Sequence, residues 1–181
     1  MKKKKRRASN PVAKYMSQGE HGWKASKRVH RKKEKPTPEP IVPQEYEAWF
    51  DGAFNRHTGC AGWGFLVKRG GIKVHEAFGG DNFDEHSTNT AEYMGLNNLL
   101  SWLEKNEIDD VDIYGDSKMV IKQSRGEYKV GEGGLYEPFY REAQSLLSNF
   151  TGLRFFWNPR EQNMEADALS KRGIAECQTG G

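Results

Sequence analysis

The chain has 181 residues, of which 35% are hydrophobic and 29% charged, with a formal net charge of +3. That length suits one domain with a proper core plus a tail, and excludes two full domains. No apolar run approaches the roughly 20 residues that a membrane span needs, and Lys2–Arg7 leads into polar residues rather than an apolar signal core, so a soluble, cytoplasmic protein without membrane contact is expected.

The charge is unevenly placed. Residues 1–40 hold 14 Lys/Arg against three acids, whereas residues 41–181 hold 14 against 22, giving a +11 arm on a −8 body. The arm is poor in aliphatic residues and closes on Pro36, Pro38, Pro40 and Pro43. Burial cannot offset conformational entropy there, so residues 1–43 read as a disordered basic arm with a proline-rich linker. Its Lys/Arg runs suit phosphate, and nucleic acid is the expected contact. A folded domain over 44–175 and a flexible tail over 176–181 complete the division. The two cysteines, Cys60 and Cys177, lie far apart without CxxC or histidine spacing, so reduced thiols are expected rather than a disulfide or a zinc site.

Within the body, Tyr46–Phe54, Ala61–Lys68 and Ile72–Gly79 read as strands with short links, the last two joined at Gly70 and Gly71, and predict an antiparallel meander. Tyr93, Leu96, Leu99, Leu100 and Leu103 recur at helical spacing, predicting a helix over Thr90–Lys105 with Thr88 or Asn89 as N-cap. Val111–Gly115 reads as a strand, Ser117–Ser124 and Glu137–Asn149 as helices, Leu153–Trp157 as a strand and Met164–Gly173 as a last helix. The order βββαβααβα makes an α/β fold: a mixed five-stranded sheet, three antiparallel strands then two parallel, flanked by helices. A ligand site is then expected at the carboxyl ends of the parallel strands.

Four acids fall at matching points. Asp51 interrupts the apolar run Trp49, Phe50, Ala53, Phe54, a costly place for an unpaired carboxylate. Glu92 stands on the first helical turn, Asp116 directly after a strand, and Asp167 between the small residues Ala166 and Ala168. Each alone reads as a cap or an ion-pair partner. Together, without a histidine or thiol cluster, they suit a hard cation such as Mg²⁺ or Mn²⁺ better than Zn²⁺.

The segments Asp51-Gly52-Ala53, Thr90-Ala91-Glu92-Tyr93, Gly115-Asp116-Ser117 and Asn163-Met164-Glu165-Ala166-Asp167-Ala168-Leu169-Ser170 resemble, in order and flanks, the motifs of type 1 ribonucleases H. The resemblance runs from about Tyr46 to Gly173 and implies a ribonuclease H-like fold. It also implies an endoribonuclease that hydrolyses the RNA strand of RNA–DNA hybrids with two Mg²⁺ ions, or Mn²⁺ in their place, leaving 5′-phosphate and 3′-hydroxyl ends. Asp51 is implied to bridge the ions, with Asp167 on the nucleophile side and Glu92 and Asp116 on the other. The 2′-hydroxyl is implied to be read around Gly52, Asn89 and Glu92. Asn55, Ser87, Thr88, Lys118, Arg160 and Asn163 are further implied substrate contacts, Ser87 matching a threonine that meets a DNA phosphate.

This sequence departs from the family pattern at Thr88, where many relatives have asparagine, and at Lys118, where many have glutamine. It also has Arg160 in the loop that carries a histidine in many bacterial members. The glycine-containing stretch from Ser124 to Glu137 is too short for the basic handle helix of some members, which leaves the arm as the expected means of holding substrate. A monomer is expected. Trp49, Trp63, Phe65, Trp102, Phe155 and Trp157 read as core, the five histidines as surface or loop, with His86 nearest the groove. Two other readings stand beside this one: a nuclease of the same superfamily that cuts DNA, and a catalytically silent hybrid-binding module.

Overall fold

The computed structural model describes residues 46–82, 87–130 and 133–180. The basic arm and His86 lie outside the described residues. Five strands, β1 (Tyr46–Phe54), β2 (Cys60–Arg69), β3 (Ile72–Asn82), β4 (Val111–Gly115) and β5 (Leu153–Trp157), form one sheet in the order β3-β2-β1-β4-β5. β1 pairs antiparallel with β2, and β2 with β3, while β1–β4 and β4–β5 are parallel. Four α-helices complete the fold: α1 (Thr88–Lys105), α2 (Lys118–Ser124), α3 (Glu137–Leu147) and α4 (Met164–Thr179). This is the mixed five-stranded sheet, three antiparallel strands then two parallel, that the element order predicts. No helix among the described residues is long and apolar enough to cross a membrane.

Strand alternation divides the core. Ala48 and Phe50 of β1, Phe65 and Val67 of β2, Val111 and Ile113 of β4, and Phe155 of β5 pack with Tyr93, Leu96, Leu99, Leu100 and Leu103 of α1 and Val120 and Ile121 of α2. Each such large side chain contributes roughly 1.5–3 kcal/mol on burial. The opposite face is smaller: Leu66 packs with Ala166 and Leu169 of α4, flanked by Trp49 and Phe78. At the β5 edge, the Arg125 guanidinium donates to the Phe155 carbonyl, with Nε at 2.8 Å and Nη2 as a second donor.

The helices reach the sheet through glycine. A Cβ on Gly173 of α4 would lie 2.0 Å from the Gly79 carbonyl oxygen, and one on Gly62 would lie 2.1 Å from the Ser170 carbonyl oxygen. At these glycines the α4 backbone lies directly on strands β2 and β3.

Several details differ from the sequence expectation. α1 begins at Thr88 with Ser87 as its N-cap, because Ser87 keeps an extended backbone (φ −139°, ψ 168°) while its hydroxyl accepts from Thr90 N–H at 3.1 Å. α4 runs to Thr179 rather than Gly173, so the expected flexible tail is largely helical. The cysteines expected to be reduced are joined: Cys60 at the start of β2 and Cys177 in the last turns of α4 form a disulfide, their Cα atoms 5.9 Å apart. Their separation of 117 residues in sequence hides a proximity that exists only because α4 folds back over β2. Trp157 is 43% exposed rather than core, at the last position of the edge strand β5.

Two stability outcomes follow. Gly173→Ala should lower unfolding free energy by about 1–3 kcal/mol through overpacking, read as a lower urea midpoint. Cys177→Ser should cost about 2–4 kcal/mol by releasing a long loop in the unfolded chain, measured under non-reducing conditions.

Candidate active site

Asp51 is the sixth residue of β1. Alternation sends Phe50 toward α1 and Asp51 toward α4, where the Ser170 hydroxyl donates to its Oδ2. Gly52, the next residue, touches α1 backbone to backbone: a Cβ there would lie 2.0 Å from the Ala91 carbonyl carbon and 2.1 Å from Glu92 N. Gly95, one turn along α1, sits as closely over Asp51, since its Cβ would lie 2.6 Å from the Asp51 carbonyl oxygen. This contact places the Glu92 carboxylate beside β1, close to the Gly52 backbone. Asp116 follows β4, the strand paired in parallel with β1, and its carboxyl lies beside that of Asp51.

Asp51, Glu92 and Asp116 therefore converge, each offering a carboxylate oxygen within 4.8 Å of the others. Asp51 and Glu92 are buried, and Glu92 Oε2 has no hydrogen-bond partner. Burial, then the nearby Asp116 and Asp167, push the Asp51 carboxyl up to about 7 against the opposing Ser170 hydrogen bond. Burial and the charges of Asp51 and Asp116 push Glu92 well above the usual carboxylate range, and burial likewise raises Asp116. Three crowded carboxylates with one orphaned oxygen fit a divalent cation, whose oxygen ligands and positive charge would satisfy both the geometry and the repulsion.

The fourth predicted acid stands apart from this trio. Asp167, in the first turn of α4, pairs with Arg160 through Oδ1 and with Lys171 through Oδ2 at 2.6 Å. Burial opposes its ionisation, but the hydrogen bonds and charges of Lys171 and Arg160 outweigh it and hold its carboxyl below the usual range. Arg160 thus engages a site carboxylate directly.

The other predicted contacts sort into groups. Gly52 is buried against the α1 backbone at Ala91 and Glu92. Thr88 is exposed and Asn89 half-buried at the opening of α1, beside Ser87, whose hydroxyl is spent on the cap. Asn55 shapes the β1–β2 turn, its Oδ1 accepting from His57 N–H at 3.0 Å and its N–H donating to the Cys60 carbonyl at 2.8 Å. Asn163, only 1% exposed, donates from Nδ2 to the Phe50 carbonyl at 3.0 Å and ties the loop before α4 to β1. Lys118 is exposed, its ammonium 4.3 Å from the centre of the Trp157 ring. Ser170 and Trp157 were not singled out as site residues: the first is one turn after Asp167 in a motif read for its acids, and the second was sorted with the core aromatics.

A sheet in this order, with an acidic cluster at the ends of β1 and β4, defines the class of ribonuclease H-like proteins. Residues 49–173 match the reverse transcriptase-like family model, and the chain belongs to that family. It is 34% identical over 132 residues to the ribonuclease HI of Halobacterium salinarum, covering 72% of this chain and 64% of the relative. The chain thus spans just under two thirds of that relative's length. The crystal structure of RNase H1 from the same archaeon superposes with a TM-score of 0.66 at 29% identity, covering 72% of this chain and 98% of that one. The N-terminal RNase H domain of a Mycobacterium tuberculosis protein gives 0.67 at 27% identity, covering 75% and 96%. LC11-RNase H1, solved in complex with an RNA/DNA hybrid, gives 0.66 at 25% identity, covering 74% and 99%.

The raised Asp51 carboxyl has a pH signature. Its folded form binds a proton more tightly than its unfolded form, so stability in EDTA should fall as pH rises from 3.8 to about 7. Thermal melts in EDTA should show this decline, Asp51→Asn should remove much of it, and Mg²⁺ should raise the melting temperature more at pH 8 than at pH 5.

Proposed function

We propose that this protein is a divalent-cation-dependent ribonuclease H that hydrolyses the RNA strand of RNA–DNA hybrids. The observation that carries the reading is the trio Asp51, Glu92 and Asp116, gathered within 4.8 Å with the buried Glu92 Oε2 unpartnered. The family assignment and the hybrid bound by LC11-RNase H1 support the choice of substrate.

Asp51, Glu92 and Asp116 would hold the cation, Mg²⁺ or Mn²⁺, and Asp167 stands ready at the rim for a second. When bound, such ions supply an activated water and charge stabilisation for phosphodiester hydrolysis, with 5′-phosphate and 3′-hydroxyl products. Ser170 orients the central carboxylate by donating to Asp51. Arg160 and Lys171 keep Asp167 ionised and directed, which maintains a fourth acidic ligand at neutral pH. The opening of α1, where Asn89 is half-buried, supplies polar groups for a 2′-hydroxyl, the feature that separates RNA from DNA.

Substrate capture needs a further element, because the body carries −8 and no helix intervenes between α2 and α3 among the described residues. The +11 of residues 1–40 meets that need by counterion release on the hybrid.

The test is cleavage of labelled RNA–DNA hybrid, duplex RNA and duplex DNA, each with Mg²⁺, Mn²⁺ or EDTA. Cleavage confined to the RNA of the hybrid and abolished by EDTA is expected, and cleavage of duplex DNA instead would overturn the substrate assignment. Asp116→Asn should lose at least about 100-fold in turnover while still binding hybrid, consistent with losing ion-mediated charge stabilisation. Removal of residues 1–40 should weaken hybrid binding and flatten its salt dependence without changing turnover at saturating substrate; unchanged affinity and slope would disprove the tether.

A further inference from the structure

Trp157 ends β5 with 43% of its surface exposed, so its indole is available for work outside the core. Its Nε1 donates to the carbonyl of Asp116 at 2.9 Å. One residue on, the Asn158 N–H donates to the Gly115 carbonyl at 3.1 Å. The end of β5 therefore grips the backbone where β4 turns into α2, at the residue whose carboxylate belongs to the acidic trio. The same indole carries the Lys118 ammonium 4.3 Å from its ring centre.

The state of that ammonium separates it from the neighbouring cations. Arg160 and Lys171 are both paired with Asp167, and Lys68 is paired with Glu165. Lys118 has no carboxylate partner among the described residues. A ring face attracts a cation through its quadrupole without cancelling its charge. Lys118 is thus oriented by the ring without an ion-pair partner among the described residues, two residues from a site carboxylate. An exposed lysine without such a platform loses rotamer freedom on engaging an anion, and here part of that loss has already been taken.

We propose that Trp157 is a positioning residue: its N–H fixes the Asp116 backbone, and its ring face presents Lys118 to a backbone phosphodiester of the bound hybrid beside the cleaved bond. The partner is a phosphate rather than a base edge, because an ammonium on a flexible stem acts as a point charge without the planar fork that reads bases. The assignment rests on the hybrid-cleaving function proposed above.

The experiment measures binding of the full chain to a fluorescent RNA–DNA hybrid in EDTA by anisotropy, across a salt series, alongside cleavage kinetics across a Mg²⁺ series. Lys118→Gln should weaken hybrid binding about 3- to 10-fold and make the log–log salt slope shallower by about 0.9, the mark of one lost phosphate contact. The cleavage defect should fall on KM rather than kcat. Lys105→Gln, which removes the same charge from the last turn of α1, should shift neither affinity nor slope beyond twofold. Trp157→Phe keeps the platform and loses the N–H, so it should preserve hybrid affinity while raising the Mg²⁺ needed for half-maximal cleavage at least about 3-fold. Trp157→Leu should show both defects, and adding Lys118→Gln to it should weaken binding less than it does in the wild-type chain.

Equal affinity and slope for Lys118→Gln and Lys105→Gln would overturn the phosphate contact. An unchanged Mg²⁺ requirement in Trp157→Phe would overturn the backbone role. A wild-type chain that cleaves no hybrid with any divalent ion would sink the functional reading, and the anisotropy series would still decide the role of Lys118.

Discussion

The close approach of α1 to β1 at Gly52 sets the rest of the site. A methyl group there would collide with the peptide between Ala91 and Glu92, and Gly95 brings the next turn equally near the Asp51 backbone. With ordinary side chains at these two points the helix would stand off by several ångströms, in keeping with the usual spacing of packed elements. Glu92 would then leave the reach of Asp51, and the cluster would fall below the ligand number that a divalent ion requires. α4 repeats the device on the other face, where Gly62, Gly64 and Gly173 let its backbone lie on β2 and β3. That depth allows Ser170 to touch Asp51 from the opposite side of the sheet.

Electrostatics follow from this packing. Burying Asp51 and Glu92 among other acids opposes folding on its own, and the fold bears that cost with the large α1-facing core. Nearby cations are positioned differently. Arg160 and Lys171 serve Asp167 and hold it charged, whereas Asp51 and Glu92 have no comparably close basic partner and are proton-hungry instead. Two populations of carboxylate thus share one site, one paired with basic side chains and the other buried among acids with the Glu92 Oε2 unpartnered.

Much of this was legible in the sequence, because it depends on local periodicity. β1, β4 and β5 coincide with the strands predicted from alternation and turn residues, and the leucines of α1 marked its buried face. The four acids stood out by position and by family motif. The remainder depends on three-dimensional juxtaposition. Ser87 was passed over as N-cap because Thr88 and Asn89 are equally capable by type, and only backbone conformation decides among them. Cys60 and Cys177 meet because α4 returns across β2, which no spacing rule encodes. Trp157 obeys the alternation of a core strand, yet it sits at the end of an edge strand and stays 43% exposed. Asn163 is implied by the family motif as a substrate contact, and only the fold reveals that its amide also reaches the Phe50 carbonyl from the interior.

The Arg125 guanidinium on the Phe155 carbonyl has a bearing on how the molecule behaves in a crowded solution. β5 is an outer strand, and an outer strand offers its unpaired backbone to any other extended chain. Arg125 occupies one of those acceptors with two donors, inserting a charged group where an incoming strand would have to pair. A chain adding to this edge must first displace that guanidinium, so the sheet is guarded against growth by strand addition along the same border that carries Trp157 toward the site.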